Sequence, residues 1–374
     1  MKDDRIHVGI IIGGRSVECE ISLISGLQVY YAIDKSKYHP TIFYLDKSNH
    51  LFVGKALSDI NTYKLENIEK LKEVFLHHEN NQVYYHYIKR PKKKFPIDIF
   101  IPVVHGFGAE DGTIVGMLDL EGAIYSSSDV IPSAIVQDKV ATKALLDKFK
   151  LPNIEYQVMY ENNQLENNIS FPVIVKPSYL GSSIGINVAK DQQELANALK
   201  EAFSYTDKVL VEKALTDFKE FNCAAICDHN KIITSCVEEV MHTKDILSFI
   251  DKYENDLNKL SNATNRIIPA LIDKKLENEI KELTSNIYTL FHLKGIVRID
   301  FLFDNIEKKL YINEINNIPG SLAFYLFEPL GISFTELLNI LIHNAMITHH
   351  QKSQKVTTFR SNILTKKSSK LMKK

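Results

Sequence analysis

Tryptophan is absent from the 374 residues, and cysteine occurs only four times, at Cys19, Cys223, Cys227 and Cys236. The spacings match neither a disulfide framework nor a CxxC metal knuckle, so buried, reduced thiols are expected. No apolar stretch reaches membrane-spanning length. The N-terminus MKDDRIHVGIII carries acidic residues where a signal peptide carries positive ones, and its apolar run stops at Gly13-Gly14. An excess of charge is missing too. The chain has 45 basic against 46 acidic side chains, which leaves no global field to recruit nucleic acid or a membrane surface. Any charged ligand must therefore be held locally, and a cytoplasmic protein without nucleic-acid or membrane partners is expected.

The length suits two or three linked domains. The first third alternates β-branched runs with amphipathic stretches: HVGIII, SLISGLQVYYAI, IDIFIPVV and TIVGMLDLEG. This rhythm predicts an α/β domain over 1–127 with a parallel or mixed sheet. Pro132 suits the first turn of a helix running to about Phe149. A small α/β unit over 128–216 follows, with FPVIVKPS, a helix from Gln192 to Phe203 and the strand KVLVEKAL. The third unit, 217–348, contains FNCAAIC and IITSCVEEV as paired strands. Its next helix carries Leu276, Ile280, Leu283, Ile287 and Leu290 on one stripe, and a last helix spans about Phe334 to Thr348. A basic tail, 349–374, closes the chain. The Lys89–Lys94 run and the tail from Lys366 to Lys374 lack interleaved aromatics, so a solvated loop and a solvated tail are expected. The His77-His78 and His349-His350 doublets lack metal-ligand spacing and are placed on the surface.

Chemistry concentrates in the strand pair GIVRIDFLF and LYINEIN. A hairpin centred near Glu307 sets Asp300 opposite Glu314 and Arg298 opposite Asn316. All four then share one face, with Ile299, Phe301 and Ile315 on the other. Opposed carboxylates in apolar strands repel unless a cation lies between them. Oxygen donors without cysteine or histidine suit Mg2+ or Mn2+. The alternative is an ion pair of Arg298 with Asp300 or Glu314 on an exposed sheet face. Pro319-Gly320 then forces a turn and offers a backbone N–H.

Four further stretches bear on a ligand. In VKPSYLGSSIG, Lys176 precedes the Gly181-Ser182-Ser183 loop, which can cradle phosphate although it is no P-loop. In VLVEKAL, Glu212 and Lys213 lie in a strand whose free edge could bond an adenine, or which could be an ordinary edge strand. The loops GGRSVECEIS and HGFGAEDGTIVG follow strands, where α/β domains place ligands. Glu18, His105, Glu110 and Asp111 there could orient a zwitterion, although Ser16 or Asp111 could equally be helix caps.

The stretches GGRSVECEISL, HGFGAEDGTIVG, QDKVATK, FPVIVKPSYLGSSIG, LVEKAL, RIDFLF and NEINNIPG, in this order, resemble the D-alanine:D-alanine ligase family of the ATP-grasp superfamily, over nearly the whole chain to about residue 348. The resemblance implies a three-domain ATP-grasp fold with an N-terminal Rossmann-like domain, ATP held between the central and C-terminal units, a homodimer, and a dipeptide product used in peptidoglycan synthesis. By position it implies that Asp300, Glu314 and Asn316 ligate two Mg2+ ions, and that Lys139, Lys176, Ser183 and Lys252 contact the phosphates. It puts Glu212, Lys213, Leu215 and Glu220 on adenine and ribose. Glu18 would take the first substrate's ammonium, His105 would line the substrate site, and Arg298 with the Gly320 amide would stabilise the oxyanion. Tyr253 would bond Ser182, and through it Glu18, from a lid over about 242–262.

Departures gather beyond Gly320. The family usually has a serine five residues on, holding the second substrate's carboxylate. Here Tyr325 stands there, beside Leu326, so the acceptor subsite is expected to be reshaped. Cys19 replaces a common polar residue, and Phe249 a frequent lid tyrosine.

Overall fold

The run HVGIII supplies a strand apolar on both faces, as the centre of a parallel sheet requires. In the computed structural model, which describes residues 4–64, 71–161, 170–241 and 266–359, it becomes β1 (Ile6–Gly13). Helix α1 (Cys19–Ala32) packs on it so closely that a Cβ on Gly26 would lie 2.0 Å from Ile12 Cγ2. Next come β2 (Tyr38–Leu45), β3 (Leu51–Val53), β4 (Lys72–Glu79), β5 (Gln82–Tyr87), β6 (Arg90–Ile97) and β7 (Ile99–Pro102). Their order is β6-β5-β4-β3-β2-β1-β7, parallel only around β1. The sheet is therefore mixed. The Lys89–Lys94 run is mostly strand rather than the expected loop, since β6 pairs with β5 at the sheet edge. Exposed lysines there discourage further pairing.

After α2 (Thr113–Leu120), the expected helix from Pro132 to Phe149 is broken into α3 (Val130–Gln137) and α4 (Lys139–Lys148). Asp138 causes the break. Its backbone is extended, and its carboxylate caps α4 by accepting from the Val140 and Ala141 N–H groups while also taking Ser178 Oγ at 2.6 Å and Lys208 Nζ at 2.5 Å. The break puts Lys139 at the first position of α4. Asp138→Ala is expected to cost about 1–3 kcal/mol, read as a lower urea midpoint with unchanged slope.

The second sheet holds β8 (Tyr156–Tyr160), β9 (Val173–Pro177), β10 (Asn187–Ala189) and, after α5 (Gln192–Phe203), β11 (Lys208–Lys213), in the order β10-β9-β11-β8. β11 is paired on both sides, which corrects its reading as an edge strand.

The third sheet is antiparallel, in the order β14-β13-β12-β15-β16. It contains β12 (Phe218–Asp228), β13 (Lys231–Val240), β14 (Arg266–Ile267), β15 (Ile296–Asp304) and β16 (Lys309–Asn316). Helix α6 (Lys274–Leu290) covers one face, packing Ile280 and Ile287 against Val297, Ile299 and Phe301. Its apolar stripe ends a turn early, because Leu290 is 39% exposed. Helix α7 (Phe334–Ser353) returns to the first sheet, where Leu337, Leu338 and Leu341 join that core.

The cysteines are free thiols, three buried and Cys227 half-buried. His77 and His78 are exposed as expected, but His349 is half-buried. Among the described residues no single helix is long and apolar enough to cross a membrane. The lysine-rich end of the tail lies outside the described residues.

Candidate active site

Strand pairing strings Glu238, Asn222, Asp300 and Glu314 into one row across β13, β12, β15 and β16. Because side chains alternate, the adjacent row on the same face holds Ala224, Arg298 and Asn316, and on the other flank lie Arg266, Val240 and Glu220. The expected register of Asp300 with Glu314 and of Arg298 with Asn316 is present. A bulge at Asn313, unforeseen from sequence, shifts the rest of the hairpin by one residue. Ile299, Phe301 and Ile315 fill the opposite face, all buried.

The row is tightly bonded. Arg298 donates from Nε and Nη2 to the two Asp300 oxygens at 2.7 and 2.8 Å, and Asn316 Nδ2 donates to Asp300 Oδ2 at 3.0 Å. The ion pair considered as the alternative reading thus exists, but on a buried face: Asp300 is only 2% exposed. Asn222 Nδ2 donates to Glu238 Oε2 at 3.0 Å. Asn222 and Glu238 were overlooked in the sequence, although a polar residue inside each of the apolar strands FNCAAIC and SCVEEV was the available signal.

Lysines from the second sheet and α4 meet this row. Lys139 Nζ lies 3.0 Å from Glu314 Oε1 and donates to the Leu180 carbonyl at 2.7 Å. Lys176 Nζ donates to Asn313 Oδ1 at 3.1 Å and is ion-paired with Glu212. Lys143, a third residue missed from sequence, contacts the other Glu212 oxygen at 2.5 Å and is as buried as its partner. Burial pushes the Lys143 ammonium down. Burial also acts to raise the Glu212 carboxyl, but the two ammonium charges outweigh it and bring it down to about 2. Lys213 is turned outward to Glu307 at 2.7 Å, whereas Leu215 and Glu220 are half-buried.

At the N-terminus of α1, Glu18 is buried and accepts from Ser182 Oγ. Ser182 and Ser183 have left-handed φ angles of 56° and 59°, which fold their loop back to Glu18. Gly106 is required beside them: its φ is +82°, and a Cβ there would lie 2.8 Å from Glu18 Oε2. His105 is committed at both ring nitrogens, with Nδ1 at 2.8 Å from the Ile318 carbonyl and Nε2 at 3.3 Å from Ser25 Oγ. Burial pushes its pKa down, which keeps the ring neutral with Nδ1 as donor. Asp111 accepts from the Thr113 and Gly108 N–H groups at 3.0 and 2.9 Å, shaping the loop as a cap does. Glu110 accepts from the Gly106 N–H, and burial followed by the Glu18 charge raises its carboxyl well above the ordinary range.

The chain turns sharply after Pro319. Ser321, Leu322 and Ala323 hold φ angles of 54°, 50° and 48°, uncommon for residues with a Cβ. Burial of Leu322 and Ala323 in the main core and a 2.9 Å bond from the Ser321 N–H to Ser25 Oγ hold the strain in place. Among the described residues a Cβ on Gly320 would meet only Ile21, at 3.9 Å. Tyr325 and Leu326 end the turn. Lys252, Tyr253 and Phe249 lie outside the described residues.

Two carboxylates and an amide are too few donors for a protein-only metal cage, and among the described residues no three His, Cys, Asp or Glu side chains form one. The set does fit a hard cation that draws its other ligands from phosphate and water, as Mg2+ does. Lysines of one antiparallel sheet and its neighbouring helix, facing a row of carboxylates and amides on a second antiparallel sheet, form the arrangement of an ATP-dependent ligase of the ATP-grasp class.

Comparison with known proteins narrows this class. Models of the D-ala D-ala ligase N-terminus and C-terminus match residues 7–128 and 145–343. The D-alanine–D-alanine ligase of Thermosipho melanesiensis is 36% identical over 367 residues, spanning 96% of this chain and 98% of that protein. Among solved structures, the D-alanine-D-alanine ligase of Coxiella burnetii superposes with a TM-score of 0.81 at 21% identity, covering 99% of this chain and all of that one. The Helicobacter pylori enzyme gives 0.71 at 27% identity, covering 90% and 98%. The chain belongs to the D-alanine–D-alanine ligase family.

Proposed function

We propose that this chain uses ATP to activate the carboxylate of one D-alanine and joins it to the amine of a second, yielding D-alanyl-D-alanine for peptidoglycan synthesis. The observation that carries the reading is the polar row of the third sheet faced by Lys139 and Lys176. In the first step the carboxylate attacks the γ-phosphorus, ADP leaves, and an acyl phosphate forms. In the second, the amine attacks the acyl carbon and phosphate leaves, with loss of one proton.

Each group has a place in this scheme. Glu18, held by Ser182, receives the first substrate's ammonium, and His105 supports the wall around it. Lys139, Lys176, Ser183 and Lys252 hold phosphate oxygens, while Lys213, Leu215 and Glu220 line the adenosine. Glu212 acts by fixing Lys176. Two Mg2+ ions, held by Asp300, Glu314 and Asn316, would neutralise phosphate charge. Arg298 and the Gly320 amide stabilise the developing oxyanion. The acyl phosphate needs protection from water, a task for a lid that includes Tyr253. A three-domain division at about residues 127 and 216, a homodimer and a cytoplasmic location belong to the same reading.

Purified protein with Mg-ATP and D-alanine should release one phosphate per dipeptide formed. Absence of D-alanine-dependent ADP release would sink the proposal. A second reading, a different amino acid or a hydroxy acid as acceptor, is favoured by Tyr325. Turnover with another acceptor and none with D-alanine in an ADP-release screen would select it.

A further inference from the structure

Two loops from different sheets meet at Glu18. A Cβ added to Gly106 in the loop after β7, or to Gly181 in the loop after β9, would lie 2.8 or 3.1 Å from Glu18 Oε2. The first loop presents Phe107 on a pinned backbone: the N–H groups on either side of it, at Gly106 and Gly108, donate to Glu110 at 3.0 Å and to Asp111 at 2.9 Å. The second loop is held at its base, where Gln137 Nε2 donates to the Tyr179 carbonyl and Lys139 Nζ to the Leu180 carbonyl, each at 2.7 Å. Across the gap the rings of Phe107 and Tyr179 stack, with centroids 5.5 Å apart and planes inclined by 24°.

Phe107 is 48% exposed, so its stack contributes little to a core. Its place in the network matters more. Tyr179 stands three residues before Ser182, whose Oγ donates to Glu18. Lys208 Nζ lies 5.1 Å from the Tyr179 ring centre and bonds Asp138, the cap that starts α4 at Lys139. The stack therefore ties the glycine-serine loop to the N-terminal domain beside the Ser182–Glu18 bond. A stacked aromatic pair shifts the balance between a closed and an open contact by roughly 2- to 12-fold.

Resting on the ligase reading above, we propose that Phe107 and Tyr179 are a positioning pair whose stack holds the glycine-serine loop down on Glu18 and so keeps water from the acyl phosphate. Water attacking the acyl carbon returns D-alanine and releases phosphate, which spends ATP without making dipeptide. A looser loop raises that loss.

The test compares phosphate with dipeptide in the full-length enzyme under Mg-ATP and D-alanine. Phe107→Ala and Tyr179→Ala should each raise the rate of phosphate release not matched by dipeptide roughly 2- to 12-fold, with the Phe107→Ala thermal midpoint within about 2 °C of wild type because the ring is half-exposed. The double variant should leak no more than the worse single variant, since either change already breaks the stack. Tyr179→Phe keeps the ring and should keep wild-type coupling of phosphate to dipeptide. Should Tyr179→Ala fold poorly, Tyr179→Leu takes its place in the comparison. Unchanged coupling in Phe107→Ala overturns the proposal, as do leaks that multiply in the double variant or a Tyr179→Phe leak equal to that of Tyr179→Ala. Absence of D-alanine-dependent ADP release from the wild-type enzyme would instead overturn the ligase reading itself.

Discussion

Glu314→Gln is expected to lower the turnover number by roughly a thousandfold while the protein remains folded. The change is isosteric and removes a single charge from the polar row. Glu314 keeps 25% side-chain exposure, and its contact with Lys139 is backed by the Leu180 carbonyl on the same ammonium, so little stability depends on it. Catalysis is another matter. With Asp300 it forms the pair of carboxylates that would bind the metal ions, and losing one forfeits several kcal/mol of charge stabilisation in the transition state. Asp300→Asn would be a poorer probe, because Asp300 is buried and holds both Arg298 and Asn316. The measurement is steady-state ADP release with Mg2+ raised to saturation, beside a thermal midpoint. A variant keeping more than a tenth of wild-type turnover would remove Glu314 from the metal site.

That probe was legible in the sequence because it depends only on local rules. A six-residue-scale polar link between two alternating strands fixes which residues face each other, and both expected pairs occur. The Gln192–Phe203 helix was equally legible, since Asp191 caps it and its apolar stripe is clean. The limits are just as local in origin. The bulge at Asn313 leaves no mark on the alternation, yet it supplies the partner of Lys176. Asp138 looks like an ordinary polar residue in a helical stretch until the second sheet brings Ser178 and Lys208 to it.

Strand order is where local reading stops. Asn222 and Glu238 join Asp300 and Glu314 only because β12, besides the expected hairpin with β13, also pairs with β15, a long-range choice. Arg266 enters the same face from a two-residue strand that no periodicity could announce. The meander between β2 and β7 was hidden similarly, because its basic stretch resembles a loop until an edge position explains the lysines. Family resemblance suggests roles for single residues, whereas the network among them comes from the sheet.

Glu212→Leu should produce the second large effect, on stability and ATP affinity together. In wild type, one buried carboxylate lies between two buried ammonium groups, Lys143 and Lys176. Removing the shared partner leaves two like charges out of water, and breaking a buried pair in this way costs about 3–5 kcal/mol, a drop of roughly 10 °C in the thermal midpoint. The Glu212 carboxyl, at about 2, lies below the ordinary carboxylate range. Its contribution is therefore present at neutral pH and is lost only as pH falls from about 4.3 towards 2. Combining Glu212→Leu with Lys143→Met removes one surplus cation and should recover most of the stability, since apolar replacement of a buried ion pair is often nearly neutral. ATP affinity should not recover, because Lys176 would still lack the carboxylate that fixes its ammonium. Stability and nucleotide affinity returning together in the double variant would show that the triad acts on ATP only through folding. A Glu212→Leu protein as stable as wild type would mean that water reaches these charges.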